Sequence, residues 1–365
     1  MQKVNITSRS LLIREEDVHG AFADNNWAET NQGLAYFSKQ NKGIGWLVES
    51  SDFSELIKRA SEKRHFDDLT TAYRVFNTEG DGFPGLTIDL YNEFLVVSFY
   101  NEFVYSLRDE IVSACKAAFP DVVGAYAKIR FASDLPESSK LYGEDAPEPL
   151  VILENGVKYA TYLNEGFMTG IFLDQHEVRG RLVDGLASGK TLLNMFSYTG
   201  AFSVAAAMGG AVQTTSVDLA KRSREKTAEH FELNGFDVSS QLIYVMDVFE
   251  YYKYAARKGL KYDVIVIDPP SFAKNKKMIF TVKKDYGRLI ENALEILSDD
   301  GIIIASTNAS DLPKKKFRAM IEDELEAAGV EYRFDEFYSL PSDFATSRKY
   351  DASNYLKVYV IGVKK

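Results

Sequence analysis

Three carboxylates in this 365-residue chain, Asp218, Asp247 and Asp268, each close a short apolar run: TTSVD, QLIYVMD and YDVIVID. A carboxylate in such a place can accept hydrogen bonds from the hydroxyls or amines of a ligand. It can also do no more than cap the helix that follows. Asp268 is the most informative, because Val264, Ile265, Val266 and Ile267 before it show no polar alternation and Pro269-Pro270 follow it. A run of that kind reads as a strand buried on both faces, and the two prolines force the chain out of the sheet. In an open parallel sheet, ligands sit at the carboxyl ends of the strands. All three acids are therefore expected along one edge of one sheet, and their joint occurrence at successive strand ends outweighs three separate caps.

The elements that must position these acids are legible around them. Thr191 to Phe196 is a further apolar strand, followed by a turn with Ser197, Tyr198, Thr199 and Gly200, and then by a helix through Ala201 and Val204 to Ala207 that stops at Gly209-Gly210. Asp218 lies eighteen residues after Gly200, close to the spacing of about 20 at which an acid meets the ribose of a bound nucleotide. A pyrophosphate needs a glycine-rich turn, and this turn offers only Gly200. That favours S-adenosylmethionine (SAM), which has no phosphate, over a dinucleotide, and Asp247 is placed to accept from an adenine amine.

These segments together resemble the class I SAM-dependent methyltransferases. Within them the chain is similar to the large-subunit ribosomal RNA methyltransferases that make 5-methylcytosine or 7-methylguanosine. The resemblance rests on TGIFLDQ (169–175), NMFSYTGAFS (194–203), TTSVDLAKRS (214–223) and DPPSFAKNK (268–276), and runs from about Tyr73 to the C-terminus. It implies that SAM is the cofactor and S-adenosylhomocysteine the product. Phe172 and Gln175 would flank the cofactor, Phe196 to Gly200 would hold its methionine portion, Asp218 its ribose and Asp247 its adenine. Asn194, Leu219, Ser223 and Val248 would complete the cofactor site. Asp268, Pro269, Pro270 and Ser271 would form the floor of the target-base pocket, with Asn308 beyond the next strand to bond the base.

The cytosine branch requires a thiolate, because carbon 5 becomes nucleophilic only after sulfur adds to carbon 6. The single cysteine, Cys115, sits in VSACKAAFP well before the catalytic segments and reads as a small buried hydrophobe. Where that branch carries its cysteine this chain reads Ser306-Thr307-Asn308. Ring nitrogen 7 of guanine already has a lone pair and needs only alignment, so it is the expected target atom; PSDFATSR (341–348) also resembles the guanine branch. The alternatives are a cytosine enzyme with an unrecognised nucleophile, a SAM-dependent enzyme with a non-RNA substrate, and a non-catalytic RNA-binding or ribosome-assembly factor.

The formal net charge of −10 is unusual for an RNA partner, since phosphate binding draws on Lys and Arg. Screening over about 8 Å lets a local basic rim act all the same. Such a rim is expected from Lys274, Lys276, Lys277, Lys283 and Lys284, with Lys314, Lys315, Lys316 and Arg318 further on. Four scattered histidines without partner cysteines argue against a metal. The absence of an apolar run of membrane length or a signal-type leader predicts a cytoplasmic protein with no membrane association. Relatives suggest a homodimer.

Three domains are expected. Residues 1–70 would form a small β-rich domain, matching poorly the RNA-binding barrel of the PUA type that family relatives carry there. Residues 71–164 would form an α+β middle domain, with an Asn155-Gly156 hairpin turn at its end. Residues 165–365 would form a Rossmann-like seven-stranded α/β domain.

Overall fold

The computed structural model describes residues 1–39, 43–274 and 279–365. It divides into two compact units: Met1–Ile152 with Thr161–Leu173 and Ser342–Asn354, and Leu153–Ala160 with Asp174–Pro341 and Tyr355–Lys365.

The second unit is built on a seven-stranded sheet. Its strands are β1 (Thr191–Met195), β2 (Gln213–Asp218), β3 (Leu242–Val245), β4 (Tyr262–Ile267), β5 (Leu297–Thr307), β6 (Glu331–Tyr338) and β7 (Lys357–Lys364), in spatial order 3-2-1-4-5-7-6. The first five pair in parallel, and β7 lies antiparallel to both β5 and β6. The strand order reverses at β1, which lies between β2 and β4. Helices connect the parallel strands: α1 (Ala201–Met208), α2 (Arg222–Leu233), α3 (Val248–Lys258), α4 (Val282–Ile296) and α5 (Lys314–Ala327). The expected seven-stranded Rossmann-like sheet is therefore present.

Val264 to Ile267 are fully buried, as a both-face strand requires, and Leu193, Met195, Ile265 and Ile267 share one core with Tyr251, Tyr252, Tyr286 and Leu289. Each such side chain contributes about 1.5–3 kcal/mol on burial. Just after the two prolines the structure adds an element that the sequence reading does not include. Phe272–Lys274 and Ile279–Thr281 pair as an antiparallel ribbon, because Phe280 is driven into the same core and draws the chain back.

The second unit also holds a buried ion pair. Arg179 Nε and Nη2 donate to Glu154 Oε1 and Oε2 at 2.6 and 2.7 Å, with both side chains almost wholly enclosed. Glu154 precedes the Asn155-Gly156 turn, whose two positive φ angles (51° and 77°) suit the predicted tight hairpin turn.

The first unit has a six-stranded sheet over Gln2–Leu47 and a five-stranded sheet over Ala72–Gly143. One core joins Leu12, Tyr36 and Trp46 to Phe53, Leu56, Val97 and Ile111, and includes Cys115. The C-terminal stretch Ser342–Asn354 belongs to this unit through buried polar contacts. Asp343 accepts from the Arg74 amide (3.0 Å), and its carbonyl accepts from Arg64, whose guanidinium also pairs with Asp81 (2.8 Å). Asn77 donates to the Ala345 carbonyl (2.8 Å), and a Cβ at Gly80 would fall 1.9 Å from that same oxygen. Ser342–Asn354 is thus a strap whose Asp343 and Ala345 are held by Arg64, Arg74 and Asn77.

Removing one partner of a buried pair leaves an uncompensated charge and costs about 3–5 kcal/mol. Glu154→Ala should lower the unfolding free energy in a urea titration by that amount at unchanged slope. The double change Glu154→Leu/Arg179→Met should recover most of it. A single variant within about 1 kcal/mol of wild type would mean that the pair does not hold this part of the fold.

Candidate functional site

The sheet register decides which side chains meet. Met195 at the end of β1 lies between Val217 of β2 and Ile267 of β4. The turn after β1 therefore emerges between Asp218 and Asp268. Asp218 pairs with Val245, so Asp247 follows two residues beyond, and Ile267 pairs with Ala305, which sets Asp268 beside Ser306. All three carboxylates stand at one edge, where the strand order reverses and ligands bind.

The turn itself is tightly determined. Phe196, Tyr198 and Gly200 all have positive φ (59°, 53° and 76°), a conformation two non-glycine residues hold only under outside constraint. The constraints are visible. Ser197 N donates to Val217 O (3.0 Å), Tyr198 N to Asp218 Oδ2 (2.9 Å) and Gly200 N to Ser197 O (2.7 Å). A Cβ on Gly200 would lie 2.5 Å from Thr227, so glycine is required there.

Thr199 is held by a residue to which the sequence alone assigns no role. His230 is fully buried, with Nδ1 2.9 Å from Thr199 O and Nε2 3.2 Å from Ala160 O. Burial pushes its pKa down, and a neutral ring carries its hydrogen on one nitrogen, so it donates to one of the two carbonyls at a time.

Asp218 accepts from Tyr198 N and, through Oδ1, from Ala220 N (2.8 Å). Those bonds fix the carboxylate while each oxygen retains a second lone pair. Leu219 beside it is 56% exposed, an apolar side chain left open next to the acid. Asp247 caps α3 by accepting from Phe249 N and Glu250 N (3.0 and 3.3 Å), the helix-capping role that the sequence also allows. Val248 is buried under that cap. Asn194 and Ser223 are buried. Asn194 donates to Ser203 Oγ (3.1 Å) while its Oδ1 has no partner among the described residues, and Ser223 donates to Ala220 O (2.6 Å) at the start of α2. Gln175 is buried in this unit, whereas Phe172 belongs to the first unit and is 43% exposed.

Asp268 has the most perturbed carboxyl at this edge. Burial pushes its pKa up to about 6, opposed by hydrogen bonds from Ser306 and Gln175 and by the Arg179 charge, and reinforced by Asp174. Gln175 Nε2 also donates to Ser306 Oγ at 3.0 Å. Gln175 Oε1 is buried with no partner among the described residues, an acceptor available to a ligand amine. Tyr286 donates to Ile267 O (3.0 Å), fixing the strand end. Ser271 donates to Asn308 Oδ1 (2.7 Å), so those two exposed residues meet each other, while Ser306 is the neighbour of Asp268. Lys357 Nζ, donating to Ala309 O (2.8 Å), steadies the loop after Asn308. Pro269 is buried and Pro270 exposed.

Only part of the expected basic rim is described. Lys276 and Lys277 lie outside the described residues, and Lys274 lies in the ribbon by its backbone alone. Lys283 pairs with Asp311 (2.6 Å) and Lys284 is exposed. Lys314 sits 3.2 Å over the Phe337 ring and Arg318 pairs with Glu322, so part of the α5 cluster is engaged within its own unit.

The edge suits a nucleoside cofactor without a pyrophosphate: two acids at adjacent strand ends, an exposed apolar side chain next to the first, and a rigid turn with one glycine. Comparison with known proteins agrees. Residues 85–348 match the family model described as S-adenosylmethionine-dependent methyltransferase. The Bacillus subtilis (strain 168) protein YwbD, provisionally named a ribosomal RNA large subunit methyltransferase, is 44% identical over 343 residues, covering 90% of this chain and 87% of its own. Ribosomal RNA large subunit methyltransferase I of Aeromonas salmonicida (strain A449) is 33% identical over 324 residues, covering 86% and 81%. The crystal structure of SMU.776, described as a methyltransferase complexed with S-adenosylhomocysteine, superposes with a TM-score of 0.92 at 48% identity, covering 99% of this chain and 100% of that one. The chain belongs to the class I S-adenosylmethionine-dependent methyltransferase family that includes these large-subunit ribosomal RNA enzymes.

Proposed function

We propose that the protein methylates ring nitrogen 7 of a guanine in large-subunit ribosomal RNA. The observation that carries the choice of atom is Ser306. At the strand end where a carbon-5 enzyme needs its thiolate, this chain has a fully buried hydroxyl engaged with Gln175 and Asp268. The only cysteine, Cys115, lies in the core of the first unit, and burial pushes its thiol up to about 12, so it supplies no thiolate near neutral pH.

When bound, SAM supplies an electrophilic methyl group on a positively charged sulfur. The residues of the chain supply alignment. Asp218 would accept from the ribose hydroxyls with its remaining lone pairs, Asp247 from the adenine amine, and the turn Phe196–Gly200 would hold the amino-acid end. Gln175 Oε1 would accept from an amine, and Leu219 would cover the base. Asp268 would accept from an N–H of the target guanine, with Pro269, Pro270, Ser271 and Asn308 shaping its pocket. Nitrogen 7 has no proton to lose, so no general base is needed. The ring gains positive charge as the methyl arrives, and an ionised carboxylate beside it lowers that barrier. Lys274, Lys276, Lys277, Lys283 and Lys284 would face RNA phosphates. The same reading puts the enzyme in the cytoplasm as a homodimer.

Nucleoside mass spectrometry of large-subunit RNA from a strain lacking the gene, beside its parent, tests the target atom. Loss of one 7-methylguanosine is expected. Loss of a 5-methylcytosine would refute the nitrogen reading, and no change would point to another substrate or to a non-catalytic role.

Asp268 also sets a pH dependence. Its folded pKa of about 6 lies above the ordinary 3.8, so the carboxyl contributes its full stability below about pH 4 and loses it as pH rises through about 6. The ionised form is the one proposed to act. Single-turnover methyl transfer should therefore rise through about pH 6 and level off, while Asp268→Asn should be slow and flat yet melt higher at about pH 8. A variant that keeps the wild-type inflection would remove Asp268 from the reaction.

A further inference from the structure

A groove of about 750 Å³ opens in the first unit, lined by residues 8–11, 32, 47–49, 79, 80, 82, 84 and 346–349. Its walls are built, not incidental. Ser8 Oγ donates to Leu12 O and Ser10 O (both 2.9 Å), which curls the amino-terminal stretch. Ser10 Oγ and the Leu11 amide both donate to Lys349 O, at 3.1 and 3.3 Å, stitching that stretch to the C-terminal strap. The strap is in turn anchored by the buried bonds of Asp343 and Ala345 with Arg64, Arg74 and Asn77.

Three exposed cations, Arg9, Arg348 and Lys349, line the groove, and none forms an ion pair with another described residue. Of the two acids there, Glu49 is held by Arg59 (2.8 Å), which keeps its carboxyl below the usual range with a further contribution from Lys349. Glu79 is the other. The groove is therefore net positive in a chain of formal charge −10. Concave and lined by three cations that no described acid pairs, it offers the charged donors that phosphate oxygens need.

We propose that this groove binds the phosphodiester backbone of the substrate RNA through Arg9, Arg348 and Lys349. The proposal rests on the RNA reading above and places RNA binding in the first unit, whereas the cofactor edge lies in the second. Each phosphate that a cation neutralises adds about 0.7–0.9 to the slope of log affinity against log salt, so removing one such cation makes the slope shallower by that amount.

The test uses the full chain and unmodified large-subunit RNA from the deletion strain. Binding is titrated across salt for wild type and for Arg9→Glu/Arg348→Glu/Lys349→Glu, with SAM affinity and melting temperature as folding controls. The expected result is at least roughly tenfold weaker RNA binding at about 0.1 M salt and a slope shallower by about two to three, with both controls unchanged. Should the triple change unfold the chain, each single neutral change (Arg9→Gln, Arg348→Gln, Lys349→Gln) should still cut the slope by roughly one. A wild-type slope in the variants, while the wild-type protein binds and methylates the RNA, would overturn the groove alone. Wild-type protein that neither binds nor methylates the RNA would overturn the RNA reading and the groove with it. Full displacement of RNA by millimolar inorganic phosphate would make this a free-anion site, and equal displacement by polyglutamate would make it a surface for acidic proteins; either overturns the proposal.

Discussion

Parallel pairing is the constraint on which the rest of the second unit depends. Strands β1 to β5 can satisfy their backbone groups in this way only if helices carry the chain back each time. Every strand then ends on the same edge. Acids that are 29 and 21 residues apart in sequence, Asp218 to Asp247 to Asp268, are thereby brought to one edge. The reversal of order at β1 leaves that edge open between β2 and β4, and the strained turn Phe196–Gly200 occupies it. His230, Thr227 and the backbone of β2 hold that turn in a conformation it would not adopt alone.

The chemistry at the edge follows from how burial is distributed. Asp268 is drawn far enough from water to raise its pKa, yet Ser306, Gln175 and Arg179 keep it from becoming a neutral acid near pH 7. Arg179 keeps its charge at this depth because Glu154 pairs with it, which raises its pKa against the opposing effect of burial. Under the proposed nitrogen-7 reading, Ser306 would offer a hydrogen-bonding wall and no nucleophile, which suffices for an acceptor atom that already carries its lone pair.

The strand ends are legible in the sequence because an unbroken β-branched run has few places to go except the middle of a sheet, and because two prolines mark where it stops. Asp218, Asp247, Asp268 and the turn around Gly200 can be located on that basis. Pairings set by distant partners cannot. The ribbon of Phe272–Lys274 and Ile279–Thr281 depends on Phe280 finding the core. His230 meets carbonyls 31 and 70 residues away, and Asp343 meets Arg64 across 279 residues. Ser306 reads in the sequence only as the place of a missing cysteine, since its bond with Gln175 spans 131 residues. Asn308 lies just beyond the end of β5, as the sequence sets it, and meets Ser271 of the proline turn, a bond across 37 residues, while the β4–β5 register puts Ser306 beside Asp268. The strap Ser342–Asn354 is not legible as part of the first unit, because nothing local distinguishes it from a loop.

Every role assigned at the second unit's edge requires the carboxyl ends of the sheet to be the cofactor site. Calorimetric titration of SAM into wild-type protein and Asp218→Ala tests this most directly, since Asp218 accepts hydrogen bonds from the turn and is placed to accept more from the ribose. Charge-assisted bonds of this kind are worth about 1.5–3 kcal/mol each, so affinity should fall by at least roughly tenfold while the variant remains folded. Unchanged affinity in a folded variant would contradict that placement and move the cofactor away from this edge.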